Sequence, residues 1–245
     1  MLKLKLCSLK MPNFGRLSVF DEIYKEGFWG NGSGGGSSLG ASKPYVQFLE
    51  KFLKSYQIKR VVDVGCGDWQ FMRYVDLTGI DYTGIDAAQS VIAANERAFG
   101  TENIRFVHFD GDYGVVPKAD LLLCKDVLQH LDTESVRSLI KSLIPRYRYS
   151  LITNDVPKRS LLGRLIDRLM RKNLLDAYGL NKDIDTGDYR LLDLRMPPFL
   201  LKGDVALEWE ANPYSFAQRI KKPKNTLLGE TCEWRKRTLL FEGAL

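Results

Sequence analysis

The sequence is poor in the residues that bind zinc. Its 245 residues include only two histidines and four cysteines, which are His108, His130, Cys7, Cys66, Cys124 and Cys232. A structural zinc site needs four such ligands close together, and no Cys-x-x-Cys pair is present. We therefore expect no metal. The cysteines also lack the paired spacing of a disulfide framework, so they are predicted to be reduced thiols in a reducing compartment.

The chain also lacks a long apolar run. No stretch reaches the roughly 20 residues that a helix needs to cross a bilayer. The first seven residues alternate apolar and basic side chains and do not form the apolar centre of a secretory signal. We therefore expect a soluble, cytoplasmic protein without a transmembrane segment. The alternation predicts a short edge strand, with an amphipathic surface contact as the alternative.

The most informative segment that is present is an apolar run ending in a glycine turn. Residues 60–64, which include Asp63, predict a buried strand, and Gly65 and Gly67 follow it directly. The next apolar run ends at Asp86. A Gly-x-Gly turn lets the backbone approach a ligand, and an acid about 20 residues further on holds the hydroxyls of a ribose. The pattern indicates an adenosine cofactor, and the alternative is a structural turn in another α/β protein.

Glycine spacing and charge distinguish between the possible cofactors. The third glycine of a dinucleotide motif is absent. Carboxylates at or just after the predicted strand ends predict an acidic crevice, although the whole chain has a net charge of +6; they are Asp63, Asp68, Asp86, Asp110 and Asp126. Such a crevice repels a pyrophosphate and attracts the sulfonium and ammonium groups of S-adenosylmethionine. The alternative is a dinucleotide-dependent oxidoreductase that binds NAD.

Three segments, residues 61–68, 82–86 and 119–131, resemble those of class I S-adenosylmethionine-dependent methyltransferases. More narrowly, the glycine- and serine-rich segment after Trp29 and the Asp-Ile-Asp-Thr-Gly run at 183–187 resemble a group of bacterial and viral methyltransferase-domain proteins. The resemblance covers about residues 28–155. It implies S-adenosyl-L-methionine as the cofactor and a Rossmann-like fold, but it does not identify the acceptor.

Apolar runs that alternate with helical patterns predict the fold. Strands are expected at 60–64, 81–85, 104–108, 120–124 and 149–153, helices at 19–27, 44–56, 69–76, 88–98 and 133–144, and one closing antiparallel pair at 206–210 and 238–242. This rhythm is typical of an α/β, doubly wound, mostly parallel seven-stranded sheet. We expect a single methyltransferase domain made of an N-terminal extension and lid (1–43), a cofactor-binding core (44–155), an acceptor-side cap insertion (156–205) and closing strands (206–245).

Ligands of such sheets bind beyond the carboxyl ends of the strands, and this rule selects the candidate cofactor-binding residues. They are Trp29, Asp63, Gly65, Gly67, Asp86, Asp110 and Lys125. Asp110, or Asp112 after a one-residue shift, is placed to accept from the adenine amino group, and the alternative is a solvated turn. The glycine-rich segment (residues 30–40) is expected to close over the cofactor as a lid, with a flexible linker as the alternative. Trp29 is either a lid residue or a core anchor.

The resemblance places the end of the fourth strand near the transferred methyl group, so His130 and Asp126 are the candidate catalytic residues. The unperturbed pKa of histidine lies near neutrality, which suits His130 as a general base, and the alternative is a packed structural histidine. Asp126 is expected to orient the cofactor or a hydroxyl. Polar residues on the acceptor side predict a small-molecule or glycan acceptor that is methylated at a hydroxyl oxygen; these are Asn154, Asp183, Tyr189 and Arg190.

Basic residues cluster at 158–172, 219–224 and 235–237. Residues 160–175 predict a basic amphipathic helix, which is interpreted as a cap packed on the domain. An anionic acceptor or a membrane surface is the alternative partner for this helix. The clusters also keep an RNA methyltransferase open as an alternative function, although no RNA-binding module is recognisable. A second alternative is a non-catalytic protein that only binds S-adenosylmethionine.

Overall fold

A mixed seven-stranded sheet organises the chain in the computed structural model, which describes residues 17–158, 179–210 and 234–243. Several predictions fall outside these residues: the N-terminal alternating run with Cys7, the amphipathic helix at 160–175, the basic cluster at 219–224, and Cys232. Cys66 and Cys124 are buried and unpaired. Within the described ranges, no helix is long and apolar enough to cross a membrane.

The strands form where apolar runs were predicted to be buried. They are β1 (Arg60–Val64), β2 (Asp81–Asp86), β3 (Ile104–His108), β4 (Leu121–Lys125), β5 (Tyr149–Pro157), β6 (Asp204–Trp209) and β7 (Trp234–Glu242). Their order in the sheet is β3-β2-β1-β4-β5-β7-β6. The first five strands pair in parallel, while β7 runs antiparallel to both β5 and β6. The α/β, mostly parallel fold is therefore confirmed, with two antiparallel pairings where one was predicted.

Helices cover both faces of this sheet, as a doubly wound fold requires. They are α1 (Val19–Lys25), α2 (Leu39–Ser55), α3 (Gln89–Phe99) and α4 (Thr133–Leu143). Buried residues of α1 and α4 pack in one apolar cluster with Val62 and Leu122. Buried residues of α2 pack in a second cluster with Val61 and Leu121. Because neighbouring residues of β1 and β4 point to opposite faces, the two clusters sandwich the sheet.

Two helix predictions differ from the structure. The helix predicted at 44–56 begins earlier, at Leu39, because the Ser38 hydroxyl accepts from the Ala41 N–H and caps it. The helix predicted at 69–76 is wrong, since only a short 3₁₀ turn at Met72–Tyr74 forms there. Trp69 has a φ of 59°, in the left-handed region that an α-helix excludes. Consequently no α-helix follows the glycine turn between β1 and β2.

Candidate active site

The glycine turn (residues 65–68) lies at the carboxyl end of β1 and is closely approached from two sides. Gly65 and Gly67 have φ values of 78° and 54°, which favour glycine. A Cβ at Gly65 would lie 2.1 Å from the Val127 side chain, and one at Gly67 would lie 2.2 Å from the Ser33 hydroxyl. The missing side chains therefore let the segment after β4 and the glycine-rich segment meet at this turn.

Asp86 ends β2 and faces the same turn. Its carboxylate accepts from the backbone N–H of Gly67 at 2.9 Å and from that of Ala88 at 2.9 Å. Burial raises the pKa of Asp86, and these N–H groups partly offset the effect. A carboxylate has about four acceptor sites, so two remain for the hydroxyls of a ribose. Asp86 therefore lies at the glycine turn, and its contact with a ribose stays a prediction.

Asp63 lies behind the turn, not at the surface of the site. It is 3% exposed and accepts a hydrogen bond from the Tyr82 hydroxyl at 2.8 Å. Burial raises its pKa to about 7, although the Tyr82 bond and the charge of Lys125 act in the opposite direction. Asp63 therefore supports the end of β1 from within the sheet, which is a less direct role than the predicted cofactor contact.

The raised pKa of Asp63 predicts a pH-dependent effect of Asp63→Asn. The folded protein holds a proton that the unfolded chain releases near pH 3.9, so stability falls as pH rises from about 3.9 to 7. Asparagine removes this loss and keeps an acceptor for Tyr82. The free energy of unfolding of the variant, relative to that of wild type, should therefore be about 2 to 3 kcal/mol higher at pH 8 than at pH 5. Denaturant unfolding of both proteins at both pH values measures this change.

The control is Asp81→Asn, at the exposed start of β2, which should show no such change. The same stability difference between Asp63→Asn and wild type at both pH values would contradict the prediction.

The glycine-rich segment is fastened to the glycine turn. The Ser33 hydroxyl donates to the Asp68 carboxylate at 2.6 Å and accepts from the Asp68 N–H at 3.0 Å. The Tyr24 hydroxyl of α1 lies 2.7 Å from the same Ser33 oxygen. A flexible linker makes no such contacts. The segment is therefore held against the glycine turn, with the Ser33 hydroxyl engaged by the protein, and its role as a lid stays a prediction.

A buried charge cluster (Lys125, Asp126, Asp155 and Lys236) occupies the carboxyl ends of β4 and β5 and the facing part of β7. One Asp126 oxygen lies 2.7 Å from the Lys125 ammonium, and the other lies 2.8 Å from that of Lys236. Lys236 also lies 2.8 Å from Asp155. Burial alone would raise the pKa of Asp126, but the two lysines hold it at about 2. Asp126 is therefore ionised and engaged at both oxygens, so it does not act as a base at neutral pH.

Lys125 links this cluster to the glycine-rich segment. Its ammonium donates to the Gly36 carbonyl at 3.3 Å and lies 4.8 Å from the centre of the Phe71 ring. Burial lowers the pKa of Lys125, and Asp126 opposes that shift. The side chain does not point to solvent. The two lysines also balance Asp126 and Asp155, so the expected excess of carboxylates does not extend to this part of the crevice.

His130 follows β4 and packs against the 179–193 loop. Its Nδ1 is 2.8 Å from the Asp188 carbonyl oxygen, and a carbonyl only accepts, so Nδ1 carries the proton. Burial lowers the pKa of His130, while the Asp188 carbonyl raises it. The neutral imidazole therefore has its lone pair on Nε2, for which the described residues provide no hydrogen-bond donor. This arrangement suits a general base.

Aromatic rings flank His130 on two sides. The ring centre of Trp29 lies 5.0 Å from that of His130 and 5.4 Å from that of Tyr24. The Tyr189 ring lies 5.7 Å from His130, and its hydroxyl donates to Asp155 at 3.0 Å. Trp29 thus packs as an anchor and also borders the candidate base. Tyr189 lies beside the same histidine, and its contact with an acceptor stays a prediction.

The other predicted acceptor residues are placed differently. The buried Arg190 guanidinium donates to the Thr133 hydroxyl at 2.9 Å and to two backbone carbonyls. Asp183 accepts from the Thr133 N–H at 2.8 Å. Both side chains therefore anchor the 179–193 loop to α4, and their contact with an acceptor stays a prediction. Asn154 is buried, and its side-chain oxygen has no hydrogen-bond partner among the described residues.

Asp110 and Asp112 follow β3 in a tight turn. The Asp110 carboxylate accepts from the Asp112 N–H at 3.0 Å, and Asp112 accepts from the Gly114 N–H at 2.7 Å. Asp110 is exposed. The contact with the adenine amino group stays a prediction. Within the described ranges, no group of three or more acidic, histidine or cysteine side chains is arranged to hold a metal.

Sequence reasoning missed Lys236 and Asp155. Lys236 was assigned to a basic cluster, but alternation along β7 places it on the opposite face from Arg235 and Arg237. Those two arginines pair with Glu208 at the sheet edge, whereas Lys236 turns into the protein. The sequence signal for this role is that Lys236 occupies an inward-facing position of the closing strand β7.

Part of the chain matches one family model. Residues 62–145 match the sequence model of a family described as a methyltransferase domain. This region runs from β1 to the end of α4 and contains the glycine turn, Asp86, Asp126 and His130. No curated protein matches the sequence significantly.

Several solved structures are similar to the chain. Magnesium protoporphyrin IX methyltransferase from Synechocystis PCC 6803, with bound S-adenosylhomocysteine, has 16% identity and a TM-score of 0.50 over 83% of this chain and 84% of that one. TehB from Haemophilus influenzae has 16% identity and a TM-score of 0.48 over 85% and 67%. Human N-acetylserotonin methyltransferase, in complex with S-adenosylmethionine, has 14% identity and a TM-score of 0.45 over 95% and 56%. The similarity to the first of these structures supports the Rossmann-like fold.

Proposed function

We propose that this chain, an S-adenosylmethionine-dependent methyltransferase by its methyltransferase domain and fold, methylates a hydroxyl oxygen of a small-molecule or glycan acceptor. The observation that carries the proposal is the hydrogen bond between His130 Nδ1 and the Asp188 carbonyl. With Nδ1–H directed at the Asp188 carbonyl, the neutral ring offers Nε2 as a proton acceptor beside the end of β4. In this interpretation Asp86 holds the ribose, and Lys125 and the glycine-rich segment cover the methionine end of the cofactor.

The reaction makes modest demands on the protein. The sulfonium is an activated leaving group, so alignment of the acceptor atom with the methyl carbon and the sulfur supplies much of the acceleration. As the C–O bond forms, the C–S bond breaks and S-adenosylhomocysteine leaves. The hydroxyl proton passes to His130 Nε2. A hydroxyl needs such a base more than an amine does, because a neutral amine already has a nucleophilic lone pair.

The electrostatics of the site favour His130 over Asp126 as the base. Asp126 has a pKa of about 2 and is held between two ammonium groups. A carboxylate with so low a pKa is a poor proton acceptor near neutral pH. His130 has a pKa below its ordinary value because it is buried, so it is unprotonated under the same conditions. Asp126 is then a residue that holds Lys125 in place.

An RNA acceptor receives no support from the basic cluster at 235–237. In the run at 235–237, Arg235 pairs with Glu208 at 2.8 Å, and Arg237 pairs with Asp193 at 2.6 Å. Lys236 is buried in the charge cluster. Cations that are already paired contribute little to phosphate binding. A small hydroxylated acceptor is therefore the better proposal.

A screen of acceptors that measures release of S-adenosylhomocysteine tests the proposal. The panel contains hydroxylated small molecules, glycans, their amine analogues and a structured RNA. We expect turnover with a hydroxylated compound, and mass spectrometry of the product should place the new methyl group on oxygen. Turnover with RNA alone, or with amines alone, would contradict the proposed acceptor. Cofactor binding with no turnover across the panel would favour the non-catalytic alternative.

A further inference from the structure

We propose that Lys236 is a positioning residue for methyl transfer, whose single ammonium group holds Asp126 on the cofactor side and Asp155 on the acceptor side of the site. The inference rests on the proposed role of His130 as the base. Lys236 comes from β7, far in sequence from the methyltransferase-domain match at 62–145. It is 3% exposed, so its charge acts within the protein.

On the cofactor side, Lys236 acts through two further residues. Its ammonium lies 2.8 Å from Asp126, which lies 2.7 Å from Lys125. Lys125 in turn donates to the Gly36 carbonyl of the glycine-rich segment. Gly36 also packs directly on the cluster, since a Cβ there would lie 3.4 Å from the Lys236 ammonium. Strand β7 is thereby connected to the glycine-rich segment, which contacts the glycine turn.

On the acceptor side, Lys236 acts through Asp155. The Asp155 carboxylate lies 2.8 Å from Lys236 and accepts from the Tyr189 hydroxyl at 3.0 Å. Gln129 fixes the same residue, because its side-chain oxygen accepts from the Asp155 N–H at 2.8 Å. Tyr189 packs beside His130. An ordered Asp155 carboxylate therefore fixes one wall of the space around the candidate base.

Charge balance explains why a lysine is needed here. The two lysines and two aspartates of the charge cluster sum to zero, so removal of Lys236 leaves a net negative charge close to His130. The charged and titratable groups around His130 are Asp126, Asp155, Lys236, Asp188 and Tyr189. The charges of Asp126 and Asp155 favour the imidazolium, and Lys236 opposes them. Lys236 thus helps to keep His130 in the unprotonated form that accepts a proton.

An NMR titration of His130 tests this role, because the chain has only one other histidine to assign. In Lys236→Met we expect the pKa of His130 to rise, and in Asp155→Asn we expect it to fall. The double variant Lys236→Met/Asp155→Asn should titrate close to wild type. The single Lys236→Met change should also lower kcat/KM for the acceptor by about 10-fold to 100-fold, through misplacement of Tyr189 and protonation of His130.

The control is Arg235→Met, which removes the neighbouring cation of β7 on the opposite face and should leave the His130 titration unchanged. If Lys236→Met does not fold, the double variant can be compared with Asp155→Asn. These two proteins differ only at position 236, so the pKa of His130 should be higher in the double variant. An unchanged His130 titration in that comparison would overturn the proposal. Because the titration does not require turnover, it tests the role of Lys236 separately from the proposed function. Failure of the proposed function would instead appear as full activity of a His130 variant.

Discussion

Asp86→Ala is expected to weaken S-adenosylmethionine binding by at least about 100-fold. Hydrogen bonds to a charged group contribute about 1.5 to 3 kcal/mol each, so loss of two ribose contacts costs about 3 to 6 kcal/mol. The carboxylate also fixes the glycine turn through the N–H groups of Gly67 and Ala88, and both bonds are lost in the variant. Calorimetric titration of the variant and of wild type with S-adenosylmethionine measures the difference.

Asp81→Ala is the matched control for this experiment. Asp81 begins the same strand at its exposed end, away from the glycine turn, so this variant should bind the cofactor as wild type does. Circular dichroism of both variants checks that they are folded. Wild-type affinity in a folded Asp86→Ala protein would remove Asp86 from the cofactor site.

His130→Asn is expected to lower kcat by about 100-fold to 1,000-fold while leaving the affinity for S-adenosylmethionine unchanged, since general-base catalysis contributes on this scale. In wild type the active form is the unprotonated imidazole, so the rate should fall as the pH is lowered through the pKa of His130. Burial places that pKa below its ordinary value of about 6.5. The acidic limb of the profile should therefore lie below pH 6.5, and it should be missing in the variant.

His108→Asn controls for loss of a histidine as such. His108 ends β3 and its Nε2 contacts the Ala87 carbonyl at 3.1 Å, remote from the end of β4. This variant should keep both the rate and the acidic limb. If His130→Asn retained full turnover, His130 would be the packed structural histidine of the alternative interpretation.

The core strands were predictable from the sequence because apolar runs in a parallel sheet are buried on both faces. Residues 121–124 of β4 are all fully buried, and the predicted strand at 120–124 differs by a single position at each end. The helix predicted after the glycine turn failed for a local reason. Trp69 takes a left-handed conformation that hydrophobic periodicity does not reveal.

The charge cluster was beyond sequence reasoning because it joins residues that are distant in the chain. Asp126 was recognised from its position after β4, but its partner Lys236 lies on β7 and reaches it only through the strand order β4-β5-β7. Arg190 illustrates the opposite error. A polar loop next to the site predicted an acceptor ligand, whereas both terminal nitrogens of the buried guanidinium donate to Thr133 and to backbone carbonyls.

The structure also changes the reason for expecting S-adenosylmethionine and not a dinucleotide. The sequence indicates an excess of carboxylates in the crevice, but Lys125 and Lys236 balance part of that charge. The glycine turn provides a stronger argument. A pyrophosphate binds at the N-terminus of an α-helix that follows such a turn, and between β1 and β2 only a 3₁₀ turn at Met72–Tyr74 is formed.

Calorimetric titration of the intact chain with S-adenosylhomocysteine and with NAD tests the central claim most directly. A turn that lacks a helix N-terminus and is bordered by Asp86 should bind the phosphate-free nucleoside and give no measurable heat with the dinucleotide. Tight binding of NAD with none of S-adenosylhomocysteine would contradict the account.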